Sequence, residues 1–169
     1  MSQKSLVPII FTLGNLSFGI LSLIFSFNEN YRWASIFILI AALLDRYDGR
    51  VARFLKISSE LGKQLDSLAD LVSFGVAPSI LVFNMYNLNN LGFISYILLL
   101  IFPLAGAYRL ARYNITAFDG NFSGIPITIA GTFIAIYCLF VPHSNTILTS
   151  ILVVILSYLM VSTLKFKKF

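Results

Sequence analysis

Long apolar runs alternate with short polar breaks along the chain, and the breaks divide it into six segments of helical length. The pattern predicts helices over Leu6 to Phe27, Trp33 to Leu55 and Leu65 to Met85, then Leu91 to Tyr113, Gly124 to Val141 and Thr146 to Leu164. Polar clusters at Asn28-Glu29-Asn30, Asn87 to Asn90 and Pro142 to Asn145 read as the turns between them. Crossing a bilayer takes roughly 20 apolar residues in a helix, and the runs are of that order. No internal repeat or low-complexity linker interrupts them. The N-terminus lacks a basic, apolar, small-residue cleavage pattern, so the first run is read as a span. The expectation is one all-α domain over residues 1–169, a polytopic membrane protein with six transmembrane helices.

Composition narrows the class. Of 169 residues, 58% are hydrophobic and only 11% charged, against about 25% charged in a soluble domain. So few charges cannot cover a water-soluble fold, and so apolar a chain is not a disordered one. Cys138 is the one cysteine, which excludes a disulfide scaffold. Its place in an apolar span points to packing.

The basic residues orient the spans. With a cytoplasmic N-terminus, Lys4 lies inside, with Arg46, Arg50, Arg53, Lys56 and Lys63 between spans two and three. Arg109 and Arg112 end span four on the same side, and Lys165, Lys167 and Lys168 follow span six. Eleven of the 12 cations then face the cytoplasm, and Arg32 alone lies outside. Both termini are expected to be cytoplasmic. The net charge of +5 reads as attraction to an anionic leaflet. Nucleic acid is not an expected partner, since no exposed basic groove is in view. Tyr31 and Trp33 fit an interfacial belt, and His143 falls on the outer side with no assigned role.

The acids carry the first sign of chemistry. Four of the seven are Asp45, Asp48, Asp66 and Asp70; the others are Glu29, Glu60 and Asp119. At about 100° per residue, Asp45, Asp48, Gly49 and Ala52 share one helix face. Asp66, Ala69, Asp70, Ser73 and Ala77 share a face of the next helix. Carboxylates in a membrane helix are costly and face a cavity, a partner or an ion. Four on adjacent helices repel one another unless cations lie between them, and two divalent ions balance them. Magnesium and manganese take oxygen ligands and bind substrate phosphates at the same time. Gly49 and Ala52 leave room for a bulky phosphate ligand, and Arg53 supplies positive charge. Small residues also pack membrane helices without chemistry. Two acidic pairs, each on a small-residue stripe, favour a site over plain packing.

At these residues the sequence resembles the CDP-alcohol phosphotransferases. Their signature DxxDGxxARx(8)GxxxDxxxD is filled by Asp45, Asp48, Gly49, Ala52, Arg53, Gly62, Asp66 and Asp70. Eight fixed positions at residue frequencies of about 5–8% make a chance match on the order of one per billions of start positions. The resemblance runs from Pro8 to Gly131. Asp66 to Pro78, Arg109 to Asn114 and Gly124-Ile125-Pro126 resemble the phosphatidylserine-forming branch, as do Pro8, Thr12, Asn15 and Gly19. Ser67 and Leu71 stand where the glycerol-phosphate branch usually has proline and lysine.

The resemblance implies transfer of a phosphatidyl group from CDP-diacylglycerol to the hydroxyl of L-serine, with release of CMP. It implies two divalent ions, Mg2+ or Mn2+, on Asp45, Asp48, Asp66 and Asp70, with Asp70 also the base. Contacts to the CDP-lipid fall on Thr12, Asn15, Asp45, Gly49, Ala52, Arg53 and Ser59. Ser73, Arg109, Arg112 and Asn114 are candidate serine contacts. An arginine suits a carboxylate, while snorkelling of Arg109 and Arg112 stays open as an alternative. The family further implies a homodimer in a bacterial or archaeal cell membrane with its active site toward the cytoplasm. Another alcohol acceptor, glycerol 3-phosphate or inositol phosphate, is the runner-up. An ion transporter is a third reading, which leaves Gly49, Ala52 and Arg53 unexplained. Two positions depart from the branch: Ile9, where asparagine is usual, and Thr128, where proline is common. Neither departure is expected to touch a motif carboxylate.

Overall fold

A computed structural model describes residues 6–55, 60–115, 121–141, 145–163 and 165–167. These form six helices: α1 (Leu6–Phe27), α2 (Tyr31–Leu55), α3 (Glu60–Met85), α4 (Phe93–Ile115), α5 (Ile127–Phe140) and α6 (Thr146–Val161). The apolar pattern locates all six, with shifts at the ends. α3 starts five residues before Leu65, because Glu60 to Gln64 continue its helix although they are polar. α5 starts at Ile127 rather than Gly124, since Gly124 takes φ +74 and Pro126 stands at the N-cap. Leu91 belongs to a short 3-10 turn, Leu88–Leu91, before α4.

The all-α expectation holds, with one short strand pair added to the helices. Residues Asn121–Ser123 (β1) pair antiparallel with Lys165–Lys167 (β2), Phe122 opposite Phe166. Strand pairing is nonlocal, and three-residue segments carry too little periodicity to reveal it.

The bundle is apolar outside, and its apolar core is joined by a set of buried small polar residues. Ile10, Ile20, Ile24 and Phe27 of α1, Ile97, Leu100 and Leu104 of α4, and Ile147, Ile151 and Ile155 of α6 are all exposed. Apolar surface on so many helices has no place in water and fits a lipid environment. Thr12, Asn15, Ser22 and Ser26 are buried instead, at helical spacing along one face of α1. α2 answers with Ala34, Ile38 and Ala41, which are fully buried. Small and weakly polar residues let helix backbones approach where no hydrophobic gradient drives them together.

Among the described residues, three helices are long and apolar enough to cross a membrane: residues Ile9–Phe27 of α1, α3 (Glu60–Met85) and α4 (Phe93–Ile115). α2 is long, but its second half holds Asp45, Arg46, Asp48 and Arg50. α5 and α6, with 14 and 16 residues, are shorter than a full span.

The turn after α1 is built by its backbone. Asn30 N–H bonds the Phe25 carbonyl at 2.9 Å and Glu29 N–H bonds the Ser26 carbonyl at 3.2 Å, with Glu29 at φ 60°. This is a Schellman closure with glutamate where glycine is usual. A Cβ in that conformation is strained. Glu29→Gly should therefore stabilise the fold by about 0.5–1 kcal/mol, seen as a higher midpoint in detergent thermal unfolding. An unchanged or lower midpoint would count against strain at this turn.

Candidate active site

α2 and α3 each carry two aspartates about one turn apart, and their packing closes the set. Carboxylate oxygens of Asp45, Asp66 and Asp70 all lie within 4.8 Å of one another. Asp48 is buried beside them and accepts a hydrogen bond from the Thr12 hydroxyl of α1. Asn15, one turn further along α1, donates from Nδ2 to Asp70 Oδ1 at 3.1 Å. Ser73 Oγ donates to the Asn15 carbonyl at 3.0 Å. α1 thus reaches an aspartate on each neighbouring helix.

The electrostatics demand a cation or protons. At an effective dielectric near 20, two unit charges at this separation repel by on the order of 3 kcal/mol. Three such pairs approach the whole stability of a typical domain. Three converging carboxylates supply hard oxygen ligands, which suit Mg2+ or Mn2+. Two further groups await partners. Asn15 Oδ1 and Arg109 Nε are buried and, among the described residues, unbonded. Arg109 is only 7% exposed, its guanidinium 5.9 Å from the Tyr113 ring and its charge acting on Asp70. A buried guanidinium with an unused donor fits an anionic ligand better than a lipid-facing role.

The remaining sequence candidates separate. Gly49 is exposed, and among the described residues a Cβ there would meet nothing within 4 Å. Ser73 is fully buried against Asn15 and Gly19. Asn114 donates to Ser67 Oγ at 2.9 Å, while its carbonyl accepts from Lys63 at 3.3 Å. Arg112 donates to the Val161 and Ser162 carbonyls at 3.2 and 3.4 Å, closing the end of α6. Ser59 lies outside the described residues, as do the side chains of Ala52 and Arg53.

Two features escaped the sequence. Thr128, in the first turn of α5, stands within hydrogen-bonding reach of the Asp45 carboxylate, against the expectation that this departure touches no motif aspartate. Nothing in the spacing of Thr128 signals it, because the contact joins residues 83 positions apart. The second is a π turn over Leu71–Val76, directly after Asp70, where Ala77 N–H bonds the Val72 carbonyl. Pro78 has no N–H for the Phe74 carbonyl, which weakens the α ladder at this place. The wider turn buries Ser73, Phe74 and Gly75 in succession, a run that an α-helical face does not give.

The model of the CDP-alcohol phosphatidyltransferase family matches residues 5–163. A CDP-diacylglycerol–serine O-phosphatidyltransferase of Bacillus subtilis is 39% identical over 164 residues, 96% of this chain and 90% of the relative. A protein of the same name from Helicobacter pylori is 34% identical, covering 97% of this chain and 73% of its own length. An archaetidylserine synthase of Methanothermobacter thermautotrophicus is 35% identical over 96% of this chain and 70% of its own.

Proposed function

The chain belongs to the CDP-alcohol phosphatidyltransferase family, and from that premise we propose that it transfers a phosphatidyl group from CDP-diacylglycerol to L-serine. The convergence of Asp45, Asp66 and Asp70, with the buried Nε of Arg109 left without a partner among the described residues, carries this reading. The names of the relatives support serine as the acceptor. The bundle is read as six spans with both ends cytoplasmic, supported by the one-sided placement of 11 of its 12 cations.

The residues divide the work. Thr12 and Asn15 orient Asp48 and Asp70 from α1. Gly49, Ala52, Arg53 and Ser59 take the nucleotide and its pyrophosphate. Arg109 binds the serine carboxylate from its buried position, while Ser73, Asn114 and Arg112, candidates for the same substrate, are engaged with Asn15, Ser67 and the end of α6. Asp70 removes the proton from the serine hydroxyl. The hydroxyl oxygen forms the new bond to the phosphatidyl phosphorus, the bond to the CMP phosphate breaks, and CMP leaves. Two divalent ions held by Asp45, Asp48, Asp66 and Asp70 would neutralise the pyrophosphate and the leaving phosphate.

One assay tests the whole. Purified protein with CDP-diacylglycerol and Mn2+ is offered serine, glycerol 3-phosphate and inositol phosphate in separate reactions. CMP release with serine alone is expected. Release only with a phosphorylated acceptor would move the chain to another branch, and none with any acceptor would remove the transferase reading. In the same assay Arg109→Ala should raise the KM for serine by about 10–100-fold. If the KM for the CDP-lipid rises instead, Arg109 binds the donor.

A further inference from the structure

α5 carries none of the motif aspartates, yet it packs on both helices that do. Thr128 faces Asp45 of α2 within hydrogen-bonding reach. One turn further on, Gly131 lies against the π turn of α3. A Cβ at Gly131 would sit 2.7 Å from Phe74 Cα and overlap its carbonyl. Phase favours a single contact surface, since positions three apart share a helix face. The π turn is also closed from α1, where a Cβ at Gly19 would overlap Ser73. Asp70 directly precedes this turn, so the seating of Phe74 determines where the Asp70 end of α3 stands relative to α2.

We propose that α5 sets the separation of the two aspartate helices through Thr128 and Gly131, both acting as positioning residues for the carboxylate cluster. Thr128 aims Asp45 from one side. Gly131 admits the Phe74 backbone and lets α3 approach from the other. Neither touches substrate. The inference rests on the proposed metal site only for one of its two readouts.

The first readout is an Mn2+ binding isotherm followed by electron paramagnetic resonance, on full-length protein in detergent. The second needs no metal. Spin labels at Tyr47→Cys and Leu68→Cys, both exposed positions on α2 and α3, report the distance between the helices. Cys138 is buried and resists labelling. Gly131→Ala is expected to weaken Mn2+ binding by about tenfold or more and to move the label distance outside its wild-type width. Thr128→Val keeps shape but removes the hydroxyl. It should weaken binding by about tenfold, with Thr128→Ser restoring it. If Gly131→Ala does not fold, the valine and serine pair decides. Wild-type isotherms and wild-type distances in both Gly131→Ala and Thr128→Val would overturn the proposal. A wild-type protein that binds no Mn2+ would remove the metal reading, while the label distances still decide the role of α5.

Discussion

Asp70→Asn should lower kcat by about a thousandfold while leaving CDP-lipid affinity within a few-fold of wild type. The substitution keeps shape and volume. Asn15 Nδ2 still finds an oxygen acceptor where it now bonds Asp70 Oδ1 at 3.1 Å, so the α1–α3 contact survives. What disappears is the negative charge and the site that receives the serine proton. A general base contributes roughly 100- to 10,000-fold. Donor binding falls less, because Asp45, Asp48 and Asp66 remain. CMP release at saturating serine gives kcat, and calorimetric titration with CDP-diacylglycerol gives the affinity. Wild-type kcat in this variant would remove Asp70 as proton acceptor. Equal losses in kcat and donor affinity would make it a ligand for the donor complex and nothing more.

Asp66→Asn should separate stability from activity. Asp66 takes part in two of the three close carboxylate pairs. Each pair repels by on the order of 3 kcal/mol at an effective dielectric near 20. Partial exposure of Asp45 and Asp66 admits water and trims the relief to about 1–2 kcal/mol. In chelator the variant should melt about 3–6 °C above wild type, even though its activity is lost. Adding Mn2+ should reverse the order. Wild type gains the binding free energy of the ion, which appears as stability, and the variant gains less. Scanning fluorimetry in detergent, with and without chelator, measures both. A variant that melts below wild type in chelator would mean that Asp66 is held by partners rather than strained by its neighbours.

Both experiments concern residues visible from spacing alone. Asp45 and Asp48, and Asp66 and Asp70, lie about one turn apart, and helical periodicity places each pair on one face. The surrounding glycines and alanines complete a motif too specific for chance. The apolar runs locate six helices, because each supplies apolar residues both to the core and to the lipid-facing surface. Arg109 and Arg112 look equivalent at that level. In the fold, Arg109 is buried beside Asp70 with a donor unused, while Arg112 closes the carbonyl end of α6. Three residues of rotation on one helix separate the two fates.

The amino-acid sequence by itself determined the apolar, lipid-facing body, the number of helices and the four aspartates. All of these follow from composition or from spacing within one helix. Tertiary structure alone decided which carboxylates meet, since that depends on how α2 and α3 are rotated and slid against each other. It gathered Asp45, Asp66 and Asp70, and turned Asp48 to Thr12. It also placed Thr128 on Asp45, opened the π turn behind Asp70 and paired two short strands from distant segments. Such contacts join residues tens of positions apart, and no local period of 3.6 residues carries information across that distance.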